Sequence, residues 1–366
     1  MVLYSPAKAI HIGRARVLAS GVALDPNTVY IYNTDVDEFS WLVDTGSTGY
    51  DVDYGDGDVD TYASGTSSDT KTYGSTGDYV IKFVFEDISD VERFRVTGYT
   101  GTSYLVANTD LMSALEEFIA TGTPLSGTLA LASSNLDDVT VNSCDLTILD
   151  LTGTTLVANH DVRMNAAAVT TFVPPTTVTG NLALFDSRFS DVTELDFTVW
   201  GNFFGGNLFL NNASDLETII APSCTRVGTQ FYAYSCSSLS SVDIEDWTGM
   251  GGDIRIFSNP LLTTLALPAS AQTISNLWLL SCDLPDIDIT PLTGSNDGIS
   301  VRLENNSFDA AAVNQVLVDL DNKGWINGSV NVSGTGMAAP DGTSGGLDGD
   351  AAVTSLTGKG WTVTTN

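Results

Sequence analysis

The sequence predicts a mainly β protein: a small β-sandwich, then a solenoid of short stacked coils closed by short helices. Three observations predict it. First, eight pairs of apolar residues two apart recur along the chain, Val139/Val141, Val162/Met164, Leu182/Leu184, Leu208/Leu210, Phe231/Ala233, Ile254/Ile256, Leu277/Leu279 and Val301/Leu303. Their starts lie 23, 20, 26, 23, 23, 23 and 24 residues apart, which is the period of stacked-coil proteins. Second, residues 28 to 100 alternate apolar and polar positions in short runs broken by Gly, Ser and Asp, as half-buried strands joined by turns do. Third, apolar residues at helical spacing flank the repeat on both sides.

Composition narrows the context before any motif is read. The 366 residues carry 45 acidic against 14 basic side chains, a net charge of -31 with only five Lys. Such a charge keeps a chain soluble and opposes binding to nucleic-acid phosphates. Two readings of the acidity compete: a surface adapted to seawater or brine, and a surface that collects divalent cations. No run of eighteen apolar residues suggests a membrane span, and the start at Met1 has no basic cluster leading into an apolar stretch. The expectation is a protein made in the cytoplasm and released by lysis, as virion components are.

Residues 1–27 read as an arm, and residues 28–100 as the sandwich, with strands such as Thr28 to Asn33 and Tyr79 to Phe85. Within it, Tyr54-Gly55-Asp56-Gly57 is followed by Lys71-Thr72-Tyr73 and then Gly77-Asp78-Tyr79-Val80-Ile81. These motifs resemble the PKD-like domains of microbial surface proteins, with Tyr54 in place of a Trp and Lys71 in place of a His. The resemblance implies an Ig-like sandwich, and the physics agrees, since Gly55-Asp56-Gly57 makes a tight turn and the two tyrosines can pack as an aromatic corner.

Two motifs of this module carry chemistry. Trp41-Leu42-Val43-Asp44-Thr45-Gly46-Ser47 matches the Asp-Thr-Gly loop of aspartic proteases, which need two such carboxylates side by side. The chain has no second loop, so a strand leading into a turn is the reading kept. Asp51, Asp53, Asp56, Asp58 and Asp60 place five carboxylates in ten residues around two glycines. Oxygen ligands at alternate positions suit calcium, although the order is not that of an EF-hand; a charged, solvated hairpin is the competing reading. Ca2+ is the one cofactor the sequence admits. Asp319-Leu320-Asp321-Asn322 has a similar character at the end of a helix.

Residues 101–137 read as a linker with a capping helix over Thr109 to Ala120, Thr109 as N-cap and Leu111, Leu115, Phe118 and Ile119 as its apolar stripe. Ser126 to Leu136 suggests an irregular strand before the regular coils.

The eight coils span 138–306. Three residues beyond each apolar pair stand Cys144, Ala167, Ser187, Ala213, Cys236, Asn259, Cys282 and Asn306, and a second apolar cluster follows, as in Leu239/Val242/Ile244 and Leu284/Ile287/Ile289. The phrase L-x-L-x-x-N/C resembles that of leucine-rich repeat proteins, over roughly half the chain, and within them the irregular, Ser/Thr-rich bacterial surface type. Cys144, Cys236 and Cys282 share one interior phase and Cys236 and Cys282 lie two coils apart, about 10 Å at sheet spacing, too far to bridge. Buried free thiols are expected, and neither C-x-x-C nor a spaced His/Cys set points to zinc.

Residues 307–366 read as a C-terminal cap: a helix from Ser307 to near Gly324, a strand Ser329-Val330-Asn331-Val332, a Gly/Asp-rich loop, a short helix near Ala351 to Leu356, and Trp361-Thr362-Val363-Thr364. Similar tails occur in bacterial repeat proteins of that type and in phage-encoded relatives.

In such coils the residue between the two buried anchors points outward. That column reads Thr140, Arg163, Ala183, Phe209, Tyr232, Arg255, Trp278 and Arg302, and its neighbour Asn142, Asn165, Phe185, Asn211, Tyr234, Phe257, Leu280 and Glu304. Arginine with aromatics is the composition of interaction hot spots. The candidate surface is therefore Arg163, Phe209, Tyr232, Tyr234, Arg255, Phe257, Trp278 and Arg302, binding a protein or glycan or forming a permanent contact within an assembly. No nucleophile, phosphate loop or catalytic pair is apparent. The expected function is non-enzymatic: a virion tail, fibre or capsid-surface component, oligomeric within its assembly, contacting other virion proteins or a host receptor. The alternative is a bacterial surface adhesin.

Overall fold

A computed structural model describes residues 24–101, 103–164, 169–175, 177–178, 182–187, 192–196, 207–220, 230–245, 252–268, 274–294 and 297–366. Among the described residues strand predominates over two α-helices, with a β-solenoid of about six turns, so the expected mainly β class holds. The chain divides into two compact units, Met1–Gly180 and Asn181–Asn366. Of the arm, residues 1–23 lie outside the described residues.

The first unit begins with four antiparallel strands, β1 (Thr28–Thr45), β2 (Tyr50–Asp53), β3 (Val59–Tyr62) and β4 (Gly65–Phe85). Strand β1 pairs β4 along almost its whole length, with register shifts between Asn33 and Glu38. On its other side the two halves of β1 pair different strands, β5 (Val91–Tyr99) and β6 (Ser103–Ala107). The alternation seen in the sequence puts Ile31, Phe39, Trp41, Phe83 and Phe94 inside, each at most 1% exposed. Trp41 meets Phe83 edge-on at 5.3 Å, and Phe83 meets Phe94 in the same way at 5.2 Å.

That sheet does not stop at the expected linker. Strand β7 (Glu117–Ala120) pairs β5 in parallel, β9 (Leu136–Thr140) pairs β7, and β11 (Thr155–Met164) pairs β9. Phe118 stacks on Phe94 at 6.1 Å, so one aromatic core runs from the antiparallel strands into the first coil. Across from this ladder, β8 (Ser126–Ala130), β10 (Asp145–Asp150) and β12 (Thr171–Val173) form a second parallel sheet, and β13 (Thr177–Val178) pairs β11.

The capping helix expected over Thr109 to Ala120 is not formed. Thr109–Leu111 is a single 3-10 turn, and Glu117–Ala120 is strand β7. The apolar spacing fits either conformation locally, but the strand lets Glu116 and Asp137 join neighbouring backbones: Glu116 N donates to Glu92 O at 2.7 Å and Asp137 N to Glu116 O at 2.7 Å. Phe118 and Ala120 are then buried with Ile119 between them half-buried, a period of two.

The second unit carries the six apolar pairs from Leu182/Leu184 onward. Its main ladder is parallel: β14 (Leu182–Ser187), β16 (Asn207–Asn211), β18 (Gln230–Tyr234), β20 (Gly252–Phe257), β22 (Ile274–Leu280), β23 (Ser300–Arg302), β24 (Ser329–Val332) and β25 (Thr362–Thr365). The opposite wall is a ladder of three-residue strands, β15 (Glu194–Asp196), β17 (Thr218–Ile220), β19 (Ser241–Asp243) and β21 (Thr264–Ala266). The second apolar cluster supplies this wall in the coil of β18, with Leu239, Val242 and Ile244 at most 1% exposed.

Five coils of this unit turn the corner in the same way. Asn212, Ser235, Ser258, Ser281 and Asn305 hold φ between +55° and +60°, and each precedes the interior slot. Ser and Asn tolerate this left-handed conformation better than bulky residues. The next residue caps the coil before it: Asn259 Nδ2 donates to Ala233 O at 2.9 Å and its Oδ1 accepts from Cys236 N at 2.8 Å. Cys236 Sγ reaches Leu210 O at 3.4 Å. Asn and Cys share the slot because both can donate to that carbonyl. Cys144, Cys236 and Cys282 are free and buried; Cys224 lies outside the described residues.

The far end follows the expected order. Helix α1 (Ala310–Asn322) starts three residues later than expected because Ser307 N still donates to Leu284 O, and Asp309 Oδ1 caps Ala312 N at 2.9 Å. Helix α2 (Gly349–Gly358) is capped by Asp348. Trp361 closes the end, its Nε1 donating to Trp325 O at 2.9 Å while its ring lies where a Cβ on Gly328 would sit, 2.7 Å from the nearest ring carbon.

Candidate interaction surface

Parallel pairing aligns the outward column of the second unit: Phe209, Tyr232, Arg255, Trp278 and Arg302 are successive partners. All five are half-buried. Strands at about 4.8 Å bring like-placed side chains into contact, and here they interlock. Phe209 and Tyr232 lie 4.9 Å apart, the Arg255 guanidinium sits 5.0 Å from the Tyr232 ring and 4.1 Å from Trp278, and the Arg302 guanidinium sits 5.1 Å from Trp278. Trp278 thus has a cation against each face, each contact contributing about 0.5–1 kcal/mol. In the adjoining column Tyr234 and Phe257 stack at 5.1 Å with planes 3° apart.

The guanidiniums are aimed by carboxylates that the outward-column reading did not single out. Asp253 Oδ2 accepts from Arg255 Nη2 at 2.7 Å and from the Tyr232 hydroxyl at 3.3 Å, while its Oδ1 accepts from Asn276 Nδ2 at 2.6 Å. Glu304 accepts from Arg302 Nε at 2.7 Å. Trp278 Nε1 donates to Ser300 Oγ at 3.2 Å. Their signal was present as polar residues two before or two after the ladder positions. With Asp253 balancing Arg255 and Glu304 balancing Arg302, this face is locally neutral on a chain of net charge -31.

In the first unit Arg163 pairs with Asp161 at 2.5 Å. Beside it, Glu117, Asp138 and Asp161 are successive register partners, a rung of three carboxylates with Glu116 and Asp137 close by. Arg95 Nη2 holds Glu117 at 2.6 Å, and Asp138 accepts from the Thr140 hydroxyl at 2.8 Å. Burial, then the neighbouring carboxylates, push Asp137 up; burial is also the leading cause of the raised Asp138. Asn165 and the side chains of Ala183 and Phe185 lie outside the described residues.

The five-aspartate hairpin is laced by lysines. Lys71 Nζ meets Asp56 at 2.9 Å and Asp58 at 2.5 Å, over the Tyr54 ring at 5.0 Å. Lys82 meets Asp53 at 2.7 Å and holds its carboxyl below the usual range. Asp51 accepts from the Thr61 hydroxyl at 2.6 Å; Asp60 lies on β3. Among the described residues no three His, Cys, Asp or Glu side chains converge as a metal set would. Tyr73 stacks on Tyr79 at 3.9 Å and donates to Tyr54 O at 3.0 Å, which is the expected aromatic corner; Gly55, at φ +81°, leaves no room for a Cβ beside Val80 O at 2.7 Å. Asp44 accepts from the Thr66 hydroxyl at 2.8 Å and lies 3.5 Å from Arg93, while Asp90 ties the following turn through Ser47 and Thr48.

Among the described residues no helix is long and apolar enough to cross a membrane. Compared with known protein families, with curated proteins and with solved structures, the chain has no match.

Proposed function

We propose that this chain is a non-enzymatic structural and interaction component of a virion, in a tail, fibre or capsid surface, that contacts a receptor or neighbouring subunits through its repeat strand face. On this reading the coils are leucine-rich repeats of the irregular bacterial surface and phage-encoded type, and residues 28–100 are a PKD-like module. The observation that carries the proposal is the Phe209–Tyr232–Arg255–Trp278–Arg302 ladder: contiguous, half-buried aromatic and guanidinium groups on a locally neutral face. Such groups dominate contact energies when a partner desolvates them. A protein contact suits this face better than a sugar platform, because Trp278, Tyr234 and Phe257 already spend ring faces on neighbouring rungs. Ring edges, a phenol and guanidinium N–H groups are what remain for a partner.

Immunogold labelling of the native source tests the setting. Label on purified virus-like particles is expected; label confined to envelopes of uninfected cells would replace the virion reading with the adhesin. The face itself is tested by retention of the recombinant chain on purified particles and on host cells. Trp278→Ala should reduce retention about thirtyfold, a loss of about 2 kcal/mol. Equal retention by a folded variant would sink the strand face as the contact.

A further inference from the structure

Among the described residues strand β25 is the last rung of the parallel ladder and pairs with β24 alone. Thr362 N donates to Gly328 O at 3.0 Å. Alternate residues of a parallel strand address the same neighbour, so Thr362 and Thr364 face β24 while Val363 and Thr365 aim their N–H and C=O groups at the open side. An open edge is a template for another strand, and proteins commonly blunt it with charge, proline or a bulge. β3, one of several described strands that pair with a single neighbour, is flanked and interrupted by Asp58 and Asp60. β25 has no such device: Thr362 to Asn366 carry no ionisable side chain and no proline, and the register with β24 is unbroken.

We propose that β25 is a strand-addition site whose occupant is β25 of a second copy, paired antiparallel about a twofold axis through Thr364. The edge is self-complementary about that residue. Val363 of each copy would exchange both backbone hydrogen bonds with Thr365 of the other, four bonds in all, and Thr364 would face its own counterpart as a non-hydrogen-bonded pair with Cα atoms about 4.5 Å apart. An isologous contact of this kind needs no second surface. It also joins two chains of charge -31 through an uncharged strand. Thr364 is exposed and continues the column Arg302–Asn331, so the pairing sets two strand faces side by side whatever those faces bind.

Sedimentation equilibrium of the full chain from micromolar to millimolar concentration tests this. The expected result is a concentration-dependent rise from the 38.6 kDa chain mass toward twice that value. Sodium chloride should strengthen it, because salt screens the repulsion between two acidic chains. Under mild oxidation Thr364→Cys should form a disulfide dimer, since the expected Cα separation lies in the disulfide range, and faster than Thr354→Cys on the exposed side of α2. Val363→Pro deletes an edge donor that β24 does not use, so it should abolish the dimer with the melting temperature kept. Thr364→Lys opposes two like charges and leaves the backbone intact, so it should do the same. A single-chain mass at every concentration and salt, a dimer unchanged in both folded variants, or cross-linking of Thr364→Cys no faster than the α2 control would overturn the proposal.

Discussion

Asn259 shows how much a single polar side chain carries in a narrow coil. It is fully buried, and its amide joins Cys236 N on one side to Ala233 O on the other. Asn259→Ala would leave both backbone groups buried without a partner, at about 1–3 kcal/mol each; a large drop in the urea midpoint is expected, and an unchanged midpoint would show that the slot does not hold the coils together. Asn259→Cys should cost about half as much, because a thiol can donate to Ala233 O but replaces the Cys236 contact poorly. The slot cysteines make a second prediction. Burial pushes the thiols of Cys144, Cys236 and Cys282 up to about 11, above an unfolded value near 8.5. The native state therefore holds these protons more tightly, so stability should be intact below about pH 8.5 and fall as pH rises toward 11. Replacing the three by Ala or Ser should flatten that alkaline limb of a urea-midpoint profile; a limb of unchanged slope would assign it to other groups.

Among the elements, β9 carries an unfavourable feature that the sequence hid. Asp138 lies between Glu117 and Asp161 in register, and like charges directly across strands are destabilising by roughly 0.2–1 kcal/mol. Its raised folded pKa means that this element's stability is highest below the ordinary aspartate range and declines as pH rises through it. Asp138→Asn is expected to raise the melting temperature at pH 7 and to make no difference near pH 3; no gain at pH 7 would mean that Thr140 and Arg163 already offset the repulsion. The segment 109 to 120 makes the complementary point. Leu111, Leu115, Phe118 and Ile119 satisfy a helical stripe, yet pairing with β5 and β9 makes a strand, because non-local backbone partners outweigh a weak local preference.

For the whole molecule the dominant quantity is the charge of -31. Self-repulsion of this size should make the melting temperature rise steadily with sodium chloride as the Debye length shrinks from about 10 Å at 0.1 M to 3 Å at 1 M. The lysine contacts to Asp53, Asp56 and Asp58 lead us to expect that a chelator leaves the melting temperature where it was. A calcium titration that saturates at low millimolar concentration, with a stability gain beyond that of matched ionic strength, would restore the hairpin as a metal loop.

The repeat was legible because its signal is local and multiplied: one apolar pair is ambiguous, whereas six or more at a near-constant period leave few ways to bury them. The interior Asn/Cys slot could be placed by counting from those pairs, whereas the αL corners came only with the backbone. Likewise the alternation in residues 28 to 100 was enough to mark strands and turns. What only the tertiary structure decided is non-local. The parallel addition of β7 to β5, the carboxylates that orient Arg255 and Arg302, the lysines on the aspartate hairpin and the open edge at β25 each depend on residues far apart in the chain. Their contacts follow from register, which shifts every side chain with a single slip, and a linear pattern records which residues are buried but not which strand lies beside them.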